Sequence, residues 1–111
     1  MLVGYARVSP VDPISALQRQ CGELRSAGAV GHIYAEQASA AAPKRDELAA
    51  CLAFLEEGDT LVVTSPHRLG ALAEFVTIIA TLQKRGVGVS VLSWGLNTSR
   101  PWPMYSAGRA S

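Results

Sequence analysis

The chain has 111 residues, 49% of them apolar, and a formal net charge of +1. That is one domain with one sizeable core, too short for a catalytic domain plus a separate DNA-reading domain and too apolar for disorder. The charge argues against a strong free-standing nucleic-acid binder, and neither a membrane span nor a secretory leader is visible in the hydropathy pattern.

Leu2-Val3-Gly4-Tyr5-Ala6-Arg7-Val8 is short, apolar and partly β-branched, which predicts a strand. Ile14, Leu17, Cys21 and Leu24 then form one stripe of an amphipathic helix, and Gly28 stands where a helix stop belongs. Gly31 to Ala35 reads as a second, weaker strand, and Ala38 to Pro43 as a flexible alanine-rich loop. A second helix starts near Lys44, with Leu48, Cys51, Leu52 and Leu55 on its buried face, and Gly58 ends it.

Thr60 to Thr64 is the clearest strand, a continuous apolar run between turn signals. Ser65 to Gly70 reads as a loop, because Pro66 disfavours helix at Ser65. Leu72, Phe75, Val76, Ile79 and Leu82 mark the inner side of a third helix that ends at Gly86, and Val87 to Leu92 is a fourth strand. The repeated order of strand, helix and glycine is βαβ construction. Continuous apolar strands imply a mainly parallel sheet of four to five strands, covered on both faces in a three-layer α/β/α arrangement. Residues 1–98 are expected to form this domain, and residues 99–111, broken by Pro101-Trp102-Pro103, an irregular and disordered tail.

Charge is uneven along the chain. Residues 1–74 hold six Lys/Arg and all nine acids, whereas Lys84, Arg85, Arg100 and Arg109 follow with no acid among them. That basic last third either faces phosphate or solvates a helix end. Cys21 and Cys51 fall in helical patterns, without CxxC or a Cys/His cluster, so neither a zinc site nor a disulfide is expected. A reduced, cytoplasmic protein is the simplest reading.

Ligands of open parallel sheets bind beyond the carboxyl ends of the strands. Arg7 and Ser9 lie at the first such end, Ser39 and Arg45 beyond the second, His67 and Arg68 beyond the third. Guanidinium forks suit phosphate oxygens, and a serine among them could attack phosphorus. Each residue also has a plainer reading. Ser9 before Pro10 suits a turn; Arg7 could pair with Glu36 or Asp59; Arg45 and His67 could be solvated; Asp59 could be a turn residue. Gly86-Val87-Gly88 precedes a strand and lacks a third glycine, so it is no dinucleotide motif.

Tyr5-Ala6-Arg7-Val8-Ser9 resembles the opening motif of the serine recombinases, the resolvase/invertase family. Leu17-Gln18-Arg19, Ala38-Ser39, Arg45, Gly58 to Val63, Arg68-Leu69-Gly70 and Gly95 to Thr98 continue the likeness in order. It covers about residues 2–98. The resemblance implies a resolvase-like catalytic domain that cuts DNA through a phosphoserine link, with no metal or nucleotide cofactor. Ser9 would be the nucleophile, Arg7, Arg45 and Arg68 the phosphate grip, and Gln18, Ser39 and Asp59 supporting groups.

The departures are specific. Pro13 stands where the family usually has glutamine, His67 where it has aspartate, Ala71 where it has a second arginine, and Pro66 where an apolar residue is usual. His67 could act as the acid toward the leaving oxygen. Lys44 or another base could substitute for the arginine missing at Ala71. With Pro101-Trp102-Pro103 intervening, residues 99–111 are not expected to form the family's long helix or a DNA-reading domain. Two readings compete: a truncated or impaired recombinase domain acting on DNA, and a catalytically degenerate module that pairs with itself or with an intact recombinase. In the second, Trp94, Trp102 and Tyr105 would form or cover the exposed apolar surface. A small-molecule domain with a phosphate-binding rim is a weaker third.

Overall fold

The structure, a computed structural model, describes residues 1–39 and 45–98. Most of the Ala38–Pro43 loop, Lys44, and the tail with Trp102 and Tyr105 therefore lie outside the described residues. The elements are β1 (Leu2–Val8), α1 (Ile14–Ser26), β2 (His32–Gln37), α2 (Asp46–Phe54), β3 (Thr60–Val63), α3 (Leu72–Lys84), β4 (Gly88–Val91) and β5 (Leu96–Asn97). The sheet order is β2-β1-β3-β4-β5. Its first four strands are parallel, with Tyr5 opposite Tyr34 and Val62 opposite Ser90. β5 runs antiparallel on β4 as a two-residue edge.

Alternation along β1 sorts side chains to two cores. Val3 and Tyr5 join Leu55, Leu61, Val63, Phe75, Leu82 and Val89 under α2 and α3, whereas Ala6 joins Cys21, Leu24, Ala29 and Val62 under α1. This is the α/β/α sandwich expected from the strand pattern. The close approach of α1 depends on Gly4, where a Cβ would sit 3.1 Å from Leu24 Cδ1 and 3.2 Å from Ile33 Cγ1.

Several local expectations shift. β2 runs to Gln37 rather than stopping at Ala35, held by its full pairing with β1. α2 begins at Asp46, not Lys44. Ser65–Gly70 is not an open loop: Pro66–Arg68 forms a 3₁₀ turn, which Pro66 suits because its fixed φ fits a first helical position. Gly70 closes that turn at φ +137°, a conformation L side chains rarely adopt. Ile14, Leu72 and Val76 face outward; α3 buries Phe75 and Leu82 instead, with Ile78 and Ile79 half-buried beside them.

Candidate active site

Three arginines interlock at the carboxyl end of β1 and β3. By the alternation of β1, Arg7 projects to the side of Val3 and Tyr5, and it is only 5% exposed. A buried cation needs compensation. Arg7 finds it in carbonyl dipoles: Nε donates to Arg68 O (3.0 Å), Nη1 to Ala38 O (2.9 Å) and Nη2 to His67 O (2.6 Å). The ion pair with Glu36 or Asp59 is thus not formed. Burial, the largest influence on Arg7, lowers its pKa; Tyr5 works the other way and Arg45 and Arg68 add to the lowering.

Arg45 stands immediately before α2. Its Nη1 donates to Arg68 O (3.2 Å) and its Nη2 to Leu69 O (2.7 Å), while Glu74 Oε2 lies 3.7 Å from Nη2. Two guanidiniums therefore hold the carbonyls of the 3₁₀ turn, where cations are favoured at a helix C-terminus. Arg68 returns the contact, donating from Nη1 to Arg7 O at 2.9 Å. Its Nε is buried and has no hydrogen-bond partner, the one such side-chain atom among the described residues. Arg68 lines a cleft of about 190 Å³ whose other polar lining residues are Asp12, Arg19, Gln20, Glu23 and Thr64.

Ser9 follows β1 directly and is half-buried. Its N–H donates to Asp12 Oδ2 (3.0 Å) and its carbonyl accepts from the Asp12 N–H (3.1 Å). Gln37 Nε2 donates to Asp12 O at 3.1 Å, tying this turn to β2. The nucleophile candidate therefore sits on a fixed backbone, as a reactive group needs.

The supporting residues divide. Ser39 is exposed, next to the Ala38 carbonyl that Arg7 uses. Gln18 is exposed on α1, away from the contacts that its neighbour Gln20 makes. Gln20 is 5% exposed: its Oε1 accepts from Arg7 N–H (3.0 Å) and its Nε2 donates to Arg7 O (3.1 Å). Asp59 stands at the opposite, amino end of the sheet. It receives the Glu56 N–H at 2.9 Å and the N-terminal ammonium at 3.2 Å, which hold its carboxyl below the usual range. It does not join the arginines.

His67 is exposed, with Nδ1 3.2 Å from Ser65 Oγ. Partial burial, then Arg68 and Arg7, lower its pKa below the usual imidazole value, so the neutral ring prevails at neutral pH. Pro13 and Ala71 are exposed and offer the site no side-chain donor. Among the described residues, no group of three or more His, Cys, Asp or Glu is placed to hold a metal.

Gln20 and Asp12 were missed as site residues. Gln20 had a signal: Leu17, Gln20, Cys21 and Leu24 fall at helical offsets of 0, 3, 4 and 7, so the glutamine lies within the buried stripe. Asp12 three residues after Ser9 fits a side-chain-closed turn.

Residues 2–104 match the family described as Resolvase, N terminal domain. The chain belongs to that family. It is 39% identical over 107 residues to Protein uvp1 of Escherichia coli, covering 91% of this chain and 52% of the relative. It is 38% identical over 102 residues to the DNA-invertase of Escherichia phage P1 (91% and 53% covered). It is 35% identical to the serine recombinase gin of Escherichia phage Mu over a similar span, 91% of this chain and 51% of the relative. The resolvase-like chain thus spans about half the length of these relatives. The crystal structure of the N-terminal catalytic domain of TP901-1 integrase superposes with a TM-score of 0.71 at 20% identity, over 99% of this chain and 89% of the other, which bears on fold alone. No helix of the described residues is long and apolar enough to cross a membrane.

Proposed function

We propose that this resolvase-family domain performs DNA strand cleavage and exchange by serine-nucleophile phosphoryl transfer. The observation that carries the reading is the interlock of Arg7, Arg45 and Arg68 at the carboxyl end of β1, the strand that Ser9 directly follows. Ser9 Oγ forms a bond to phosphorus and gives up its proton to solvent. The bond from phosphorus to the 3′-oxygen breaks, that oxygen takes a proton, and a 5′-phosphoserine link with a free 3′-hydroxyl remains. A guanidinium has five N–H donors. Arg7 spends three on carbonyls; in this reading its remaining donors, with those of Arg45 and Arg68, would bind the non-bridging oxygens. His67 donates to the 3′-oxygen in its cationic form, a role that strengthens on the acid side of neutrality because its pKa is lowered. The reading places the domain at residues 1–98, acting in the cytoplasm without metal or nucleotide, on DNA held weakly unless a reader domain assists.

The second reading is a degenerate module that pairs with itself or with an intact recombinase. Ala71, which supplies no donor, favours it, as does the apolar surface of Leu72, Val76 and Trp94, which are 72%, 56% and 58% exposed. Covalent trapping separates the two. A pool of nicked duplexes of randomised sequence is incubated with the protein at low salt, and protein-linked strands are recovered and sequenced. Enzymatic function gives an adduct, abolished in Ser9→Ala, whose linkage maps to Ser9. DNA retention without any adduct supports a phosphate grip with lost chemistry. No retention at low salt supports the interaction module.

A further inference from the structure

The three arginines meet at Arg68, whose carbonyl accepts from Arg7 and Arg45 and whose guanidinium bonds the Arg7 carbonyl, and the Arg7 backbone is itself clipped by a side chain from another layer. Gln20 reaches from α1 and satisfies both the N–H and the carbonyl of Arg7, at 3.0 and 3.1 Å. That carbonyl also receives Arg68 Nη1 at 2.9 Å. Gln20 and Arg68 therefore share one acceptor, and both line the same cleft. The geometry points to Gln20 as a positioning residue: it fixes the end of β1 and thereby holds the Arg68 guanidinium in one place for anion binding. This rests on the proposed phosphate chemistry and adds a residue from α1 to it.

The physical argument is one of matching. A carbonyl has two lone pairs, and here both are used, one by a neutral amide and one by a cation. The amide occupies its lone pair without adding charge, so it leaves the guanidinium only one place to bond. Removing the amide leaves two buried backbone groups short of partners and lets Arg68 slide across the carbonyl. A carboxylate at position 20 would instead draw Arg68 toward itself and repel the Arg7 carbonyl. A protonated carboxyl would mimic the amide, since its O–H can donate to Arg7 O while its other oxygen accepts the Arg7 N–H.

Gln20→Glu and Gln20→Leu test this. The first measurement follows the Arg68 Nε–H resonance by NMR while inorganic phosphate is added to the full chain. The wild type is expected to respond, and Gln20→Leu to need at least tenfold more phosphate. Gln20→Glu is expected to be weak at pH 8 and to recover toward the wild type as pH falls and the introduced carboxylate takes up a proton. A merely structural glutamine would not produce that pH profile. Denaturant unfolding of each variant gives the folded fraction by which all values are normalised. The second measurement is the rate of the Ser9–DNA adduct, expected to fall about a hundredfold in Gln20→Leu, the order expected of a small misplacement near reacting groups.

Equal phosphate response in wild type and Gln20→Leu, no response in the wild type, or a Gln20→Glu profile parallel to the wild type would each overturn the inference. If the wild type forms no adduct yet Gln20 governs the phosphate response, the positioning role stands and the strand-cleavage reading fails.

Discussion

His67 occupies a position where the sign of a pKa shift has consequences. Its pKa is lowered in the folded chain, foremost by partial burial and then by Arg68 and Arg7. The unfolded chain therefore binds a proton more readily than the folded one as pH falls below about 6.5. The stabilising contribution of the neutral ring is fully present above that value and is lost as pH drops through the folded-state pKa. Denaturant midpoints measured at pH 7.5 and pH 5 should fall less in His67→Gln than in the wild type. An equal fall in both would assign the pH sensitivity to other groups. Cys51 is fully buried, and its thiol is pushed up to about 12 chiefly by that burial, which disfavours the reactive thiolate.

Helix α2 is held at both ends by side chains from other elements. At its start, the Glu36 carboxylate of β2 accepts from Glu47 N–H (3.2 Å), Leu48 N–H (3.1 Å) and the Tyr5 hydroxyl (2.6 Å). At its end, Arg85 donates to the carbonyls of Leu52 and Leu55. Both placements complement the helix dipole. They also orient Arg45, which directly precedes α2. Part of the basic character of the last third is thus spent on a helix end. Glu36→Ala should cost about 1–3 kcal/mol in unfolding free energy, because it leaves the buried Tyr5 hydroxyl and two helix N–H groups short of partners. Adding Tyr5→Phe should recover part of that loss; full additivity of the two changes in a double-mutant cycle would refute the coupling.

At the scale of the molecule, one sheet separates two cores of unequal size. The larger, under α2 and α3, carries the packing of the long aliphatic and aromatic side chains. Leu55, 1% exposed at the end of α2, should cost about 2–5 kcal/mol when changed to alanine, read from equilibrium unfolding. The smaller core under α1 is close-packed around Gly4, which brings Gln20 within reach of β1. Trp94 packs edge-on over Phe75 at 5.6 Å and leaves the rest of its surface outside, continuous with Pro66 and Leu72.

Periodicity alone carried the strand and helix order, because continuous apolar runs and glycine stops are local signals. The same pattern carried the parallel, three-layer arrangement, since strands joined through helices return in the same direction. The ordered motifs from Tyr5 to Thr98 carried the family. What they could not carry was the bonding of the site. Arg7 looked like half of an ion pair, because a sequence displays carboxylates but not the carbonyls that a 3₁₀ turn gathers around it. Gln18 stood out by motif, whereas helical phase in the packed domain turned Gln20 to the rim. Asp59 and Arg7 fall at opposite ends of one sheet, a separation set by strand register. Leu72 and Val76 matched a buried stripe by spacing, yet which side of α3 is covered depends on the sheet beneath it. Local spacing determined the elements and their family; only long-range packing decided which polar atoms meet, because hydrogen-bond partners here lie up to 61 residues apart in the chain.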